Sequence, residues 1–258
     1  MKMKIDKEFV EIDGIKTAYI KREGGEKVLV ILHGWGAYIE SIMPIFNAIP
    51  EGYTVYAYDA PGFGDSENPK EVMGTYDYYE FLLKFLNHFK IKKATFVGHS
   101  FGGKTLTILG SRNKDRVEKL IIIDASGVLP KRKLSYYAKV YSFKAAKKCY
   151  MLTHGNNEEA MAKFYKKHGS DDYQAADGIM RKCFVKVVNE STREEFKNID
   201  AETLLIWGDK DEATPLYMGK IFEEEIKNSG LVVLEGAGHY SYLDKFGQFN
   251  AVINSFLG

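Results

Sequence analysis

The stretch that decides the fold is Ala94-Thr95-Phe96-Val97-Gly98-His99-Ser100-Phe101-Gly102-Gly103. Ala94–Val97 is a short run with no charge, the pattern of a strand buried on both faces. It leads straight into Gly-x-Ser-x-Gly, and a helix-like segment follows. A chain that passes from strand to helix over so few residues must turn sharply and lift the serine hydroxyl clear of the sheet. Gly98 and Gly102 meet that demand, because a side chain at either place would collide across the turn. The same turn aims the first backbone N–H groups of the next helix at the serine, so Phe101 N–H is read as an oxyanion donor.

Similar runs recur on both sides of this motif. Phe9–Ile12 and Lys16–Lys21 flank Asp13-Gly14, a hairpin dipeptide. Val28–Leu32, Thr54–Tyr58, Leu120–Ile123, Leu204–Trp207 and Leu231–Leu234 are apolar runs at wide spacing. Helix-like stretches separate most of them, such as Tyr78–Phe89 with its Phe81, Phe85 and Phe89 stripe. Alternating strand and helix predicts an α/β fold: about eight strands, mostly parallel, with an antiparallel N-terminal edge and helices on both faces. The rhythm breaks between Leu129 and Ile199, where no clear strand occurs. Leu134, Tyr137, Tyr141 and Ala145 repeat there at helical spacing. The expected division is therefore a core of residues 1–128 and 200–258 with a helical cap at 129–199. An insertion at that place lies over the C-terminal edge of the sheet, where open α/β sheets carry their sites.

Two further loops sit just past strand ends. Gly208-Asp209-Lys210-Asp211 follows Leu204–Trp207, and Gly236-Ala237-Gly238-His239 follows Leu231–Leu234. An Asp in such a loop is often only a turn residue. Serine, then aspartate, then histidine, each beyond a separate strand, is nonetheless the arrangement of a nucleophile, a base and its orienting acid. Ser100, His239 and Asp211 take those roles here. His33-Gly34-Trp35-Gly36, after Val28–Leu32, supplies the second oxyanion donor through Trp35 N–H. Asp209 and Asp124 are rival acids, since Asp209 is nearer its strand end and Asp124 follows Leu120–Ile123.

On these motifs the sequence resembles the α/β-hydrolase superfamily over nearly its whole length. Asp59-Ala60-Pro61-Gly62-Phe63-Gly64-Asp65-Ser66 is similar to that family's D-x-P-G-x-G-x-S loop, and His239–Phe246 to its histidine loop. Within the superfamily it looks closest to small single-domain bacterial hydrolases with a helical cap. The resemblance implies a Ser100–His239–Asp211 triad with Trp35 and Phe101 as oxyanion donors. Relatives that open haloalkanes or epoxides place an Asp where Ser100 stands, and an alkylated serine would be an ether that water does not cleave. Acyl transfer is left: esters, thioesters, lactones, some amides and C–C bonds of β-diketones remain open, with a small carboxylic ester as the expected substrate.

Gly98–Thr105 also spells the G-x-x-x-x-G-K-S/T phosphate loop, with Leu120–Asp124 as a possible Mg²⁺-binding strand. That nucleotide-hydrolase reading leaves the His33 loop, Asp211 and His239 unexplained, whereas the hydrolase reading needs only Lys104 and Thr105 to be ordinary helix residues. A ligand sensor that keeps the triad but turns over little is the other alternative.

The bulk numbers fit a soluble enzyme. Lys+Arg total 36 against 35 Asp+Glu, and 45% of residues are hydrophobic. No global field draws the chain to nucleic acid or holds it stably on a membrane. No cofactor or metal signature appears. Cys149 and Cys183 read as free, largely buried thiols in a reducing compartment. With Met1–Asp13 too charged for a signal segment, a cytoplasmic location is expected. Lys131–Lys148 carries seven cations and no acid. It reads as the solvated side of a helix, or as a surface for an anionic substrate or membrane. Tyr137 and Tyr141 beside it are expected to line an acyl pocket or to pack on the core. Nothing in the sequence specifies the acyl chain or the oligomeric state.

Overall fold

The chain opens with a hairpin in which Glu8–Ile12 (β1) pairs antiparallel with Ile15–Arg22 (β2). Asp13 and Gly14 turn between them at φ 54° and 70°, the left-handed pair that a two-residue hairpin needs. The computed structural model describes residues 6–131, 134–154 and 178–258. Its further strands are Lys27–Leu32 (β3), Tyr53–Tyr58 (β4), Ala94–His99 (β5), Val117–Ile123 (β6), Glu202–Gly208 (β7) and Ser229–Leu234 (β8). They form one sheet in the order β1-β2-β4-β3-β5-β6-β7-β8. The β1/β2 and β2/β4 pairs are antiparallel and the other neighbours are parallel. Each expected strand is present, lengthened by a few residues.

The helices are Met43–Ala48 (α1), Thr75–His88 (α2), Phe101–Arg112 (α3), Leu134–His154 (α4), Gly178–Asn189 (α5), Arg193–Phe196 (α6), Leu216–Glu225 (α7), Ser241–Asp244 (α8) and Phe246–Leu257 (α9). Side chains alternate across the sheet, as the two-residue period of a strand requires. Val30, Leu32, Phe96, Leu120, Ile122, Leu205 and Trp207 share one core layer with α2, α3 and α7. Leu29, Ile31, Val97, Ile121, Ile123, Leu204 and Ile206 share the other with α1, α8 and α9. β8 departs from the expected burial on both faces. It closes the sheet with β7 as its sole strand neighbour, and Val233 is 37% exposed.

Among the described residues no strand occurs between β6 and β7, and none of the helices is long and apolar enough to cross a membrane. α4 leaves Tyr141 and Leu152 largely exposed. Tyr141 therefore does not pack on the core, while the Tyr137 side chain and residues 155–177 lie outside the described residues. Cys183 is buried but Cys149 is exposed, contrary to the expectation of two buried thiols. α5 and α6 are fastened to the core. Met180, Cys183 and Val187 join the α2/α3 layer. Thr192 N–H donates to Gly127 O at 2.9 Å, and the Thr107 hydroxyl donates to Thr192 Oγ1 at 2.8 Å.

Candidate active site

Ser100 sits between β5 and α3 at φ 51° and ψ −112°, a conformation that L-residues rarely adopt. Such strain persists only where surrounding contacts dictate it. Its N–H donates to Ile123 O at 2.9 Å, tying the turn to β6. Gly98 is needed for the reason the sequence suggests, a collision across the turn, whereas Gly102 is needed because the end of β3 passes close. A Cβ at Gly98 would lie 2.6 Å from Gly102 C, and one at Gly102 would lie 2.5 Å from Leu32 O.

The loops after β5, β7 and β8 meet at this serine. His239 Nε2 lies 3.0 Å from Ser100 Oγ, and His239 Nδ1 lies 2.8 Å from Asp211 Oδ2. In that chain Nδ1–H donates to the carboxylate and Nε2 accepts from the hydroxyl. Asp211 is 4% exposed. Its Oδ1 accepts from Ala213 N–H at 2.8 Å and Thr214 N–H at 2.9 Å, and the Thr214 hydroxyl lies 2.6 Å from Oδ2. Burial pushes its carboxyl up, but the His239 bond and charge together with the Thr214 bonds outweigh it, so the group lies below the usual carboxylate range. It is held charged and in one orientation.

The rival acids are committed elsewhere. Asp124 is fully buried at the end of β6, where its Oδ1 accepts from Gly208 N–H at 2.8 Å and its Oδ2 from Ser241 N–H at 3.0 Å. Burial raises its pKa to about 7. It clamps the start of the Asp211 loop to the residue two after His239. Asp209 accepts from Gly236 N–H at 2.5 Å and pairs with Lys210 at 2.9 Å, so it bridges two loops rather than capping its own turn.

Trp35 lies on the loop after β3 and Phe101 opens α3, with their rings in edge contact at 5.5 Å. Neither backbone N–H has an acceptor among the described residues. Two histidines that the sequence reading passed over brace these loops. His33 Nδ1 lies 2.7 Å from Gly34 O, and its Nε2 accepts from Ala60 N–H at 2.9 Å, so Nδ1 carries the proton. His99 Nε2 donates to His239 O at 2.8 Å and links the nucleophile turn to the histidine loop. Burial, then the neighbouring His239, drops the His99 pKa to about 3. Both histidines flank a motif glycine, a signal the sequence does contain. Thr214 was also passed over, although an Asp followed three residues later by Thr is a recurrent local bonding pattern.

Lys104 is not the ordinary helix residue expected of it. It is 2% exposed, and its ammonium donates to Val187 O at 2.6 Å and Glu190 O at 2.7 Å. Burial lowers its pKa to about 8. A lysine engaged in this way is not presented to a nucleotide phosphate, and the phosphate-loop spelling is coincidental. The D-x-P-G loop is likewise structural. Asp59 is buried, accepting from Ile39 N–H at 2.6 Å, Asp65 N–H at 3.0 Å and Lys7 Nζ at 3.0 Å.

Comparison with known proteins agrees with this architecture. The chain is 24% identical over 244 residues to an uncharacterized hydrolase of Bacillus subtilis, covering 88% of this chain and 89% of that one. It is 25% identical over 256 residues to a pimeloyl-[acyl-carrier protein] methyl ester esterase of Neisseria meningitidis, covering 90% and 93%. An esterase structure from Exiguobacterium antarcticum superposes with a TM-score of 0.73 at 22% identity, covering 96% of this chain and 98% of that one. Residues 27–246 match the family model described as the alpha/beta hydrolase fold, and the chain belongs to that family.

Proposed function

We propose that this protein is a serine hydrolase that cleaves a small carboxylic ester through an acyl-enzyme intermediate. The observation that carries the proposal is the unbroken relay from Ser100 Oγ through His239 to the buried Asp211 carboxylate, at 3.0 and 2.8 Å. Ser100 Oγ attacks the acyl carbonyl while His239 Nε2 takes its proton. Charge on the carbonyl oxygen is met by the N–H groups of Trp35 and Phe101. Collapse breaks the ester bond, and the leaving alkoxide takes the proton from His239. Water then attacks the acyl-serine, giving its proton to the same nitrogen, and the acid departs as Ser100 is reprotonated. Asp211 keeps Nδ1 protonated and stabilises the imidazolium in both halves.

A cap formed by residues 129–199 over a core of 1–128 and 200–258 belongs to the same proposal, with Phe184 of α5 packed against Trp35. So does action on a small-molecule acyl substrate in the cytoplasm, where free thiols stay reduced. A relative named as an ester hydrolase supports the choice of an ester substrate.

A fluorophosphonate probe tests the reading directly. We expect one covalent adduct, mapped to Ser100 by peptide analysis, and turnover of p-nitrophenyl acetate. Ser100→Ala is expected to abolish labelling and to lower kcat by several orders of magnitude, about 10⁶-fold if it acts as serine does in other triads. An adduct on another serine, or none, overturns the proposal.

A further inference from the structure

Lys104 stands one helical turn beyond Ser100 on α3, and its backbone N–H donates to Ser100 O at 3.0 Å. Its side chain crosses to the C-terminal end of α5, where it meets the carbonyls of Val187 and Glu190. The last carbonyls of a helix have no N–H partners within it and carry partial negative charge. An ammonium there satisfies both. Among the described residues no carboxylate bonds Lys104, and Glu190 spends its own on Thr75 N–H at 2.6 Å. A buried ammonium is costly, and an apolar side chain would fill the space at less cost. What the lysine adds is a fixed position for α5.

That position matters because of what α5 carries on the same face. Phe184, one turn before Val187, packs on the Trp35 ring at 5.5 Å. Met180, another turn back, closes on Gly62, where a Cβ would strike its sulfur. Cys183 Sγ accepts from Met73 N–H at 3.2 Å beside them. The loop that bears the Trp35 N–H is thus roofed by a helix whose far end is pinned from the nucleophile helix.

We infer that Lys104 is a positioning residue for substrate selectivity: by anchoring the C-terminal end of α5 to the nucleophile helix, it fixes Phe184 against Trp35 and so sets the wall that an acyl chain on Ser100 meets. The inference rests on the serine-hydrolase reading.

The test compares p-nitrophenyl acetate with p-nitrophenyl hexanoate on wild type, Lys104→Met, Phe184→Ala and the double variant. Lys104→Met is expected to shift the hexanoate-to-acetate ratio of kcat/KM by about fivefold or more, chiefly through KM for the longer ester. Phe184→Ala is expected to shift it in the same direction, and the double variant no further than Phe184→Ala alone, because the lysine acts through that ring. A ratio within about twofold of wild type in either single variant, or effects that simply multiply, overturns the inference. If Lys104→Met does not melt cooperatively, Lys104→Gln, which keeps a donor but no charge, is read in the same way. Failure of the underlying reading looks different: wild type then leaves both esters intact and shows no Ser100 adduct.

Discussion

Asp211 accepts two backbone N–H groups and sits against the Thr214 hydroxyl and His239, whereas Asp209, two residues earlier, bonds Gly236 N–H and Lys210. The two substitutions should therefore separate cleanly. Asp211→Asn should lower kcat on p-nitrophenyl acetate by about 10³–10⁴-fold at unchanged circular dichroism, since the imidazole loses the partner that fixes its tautomer. Asp209→Asn should cost less than about tenfold, its tie being to a loop rather than to the base. Asp124→Asn should instead lower Tm, because an amide can accept from only one of Gly208 N–H and Ser241 N–H and turns its own donor on the other. A crippled Asp124 variant beside a competent Asp211 variant would sink the assignment. The sequence leaves these three acids open for a physical reason. All stand just past strand ends, and only the loops that cross between strands decide which carboxylate reaches the imidazole. Lys104 was illegible for a similar reason, as it is buried against the C-terminal end of α5, whose Val187 lies 83 positions along the chain.

The segment between β6 and β7 is not one kind of element. α4 exposes Tyr141 and Leu152, whereas α5 is held by Lys104, by the Lys186–Asp77 pair at 2.7 Å and by the Glu190–Thr75 bond. Amide exchange should follow that difference, because opening α5 breaks buried contacts with α2 and α3. The expected order is fastest in α4, slower in α5 and slowest in β3 and β5. Equal protection of α4 and α5 in native-state exchange would contradict it. The sequence shows this segment as helical throughout, with an acid-free basic run at Lys131–Lys148. The distinction between a fastened arm and an exposed one depends on partners in α2 and α3 that no local pattern announces. Strands were easier to read, because β3, β5 and β7 are apolar on both faces and run without interruption.

At the scale of the whole molecule, two buried titratable groups set opposing pH dependences. His99, with its pKa lowered from 6.5 to about 3, binds fewer protons folded than unfolded. Its contribution to stability is complete above pH 6.5 and is lost as pH falls toward 3. Asp124, raised from 3.8 to about 7, does the reverse, with a contribution complete below its unfolded value and lost as pH rises through the folded one. His99→Gln keeps an N–H donor near His239 O but removes the titration. Denaturant unfolding from pH 6.5 down to 4 should then show a slope shallower by up to about 1.4 kcal/mol per pH unit, the value of one proton. An unchanged slope would mean that His99 is not kept neutral by burial. The hairpin edge, the strand order and the three loops come from the same sheet, and that topology has a consequence for the protein's synthesis. Ser100 leaves the ribosome with its complete turn long before Asp211 and His239 exist to meet it, and β7 and β8 must join the sheet before the relay closes. On the proposed mechanism, a nascent chain that stops anywhere short of His239 has the serine but no base. The chain is therefore inactive on that mechanism until β8 joins the sheet and brings the His239 loop to Ser100.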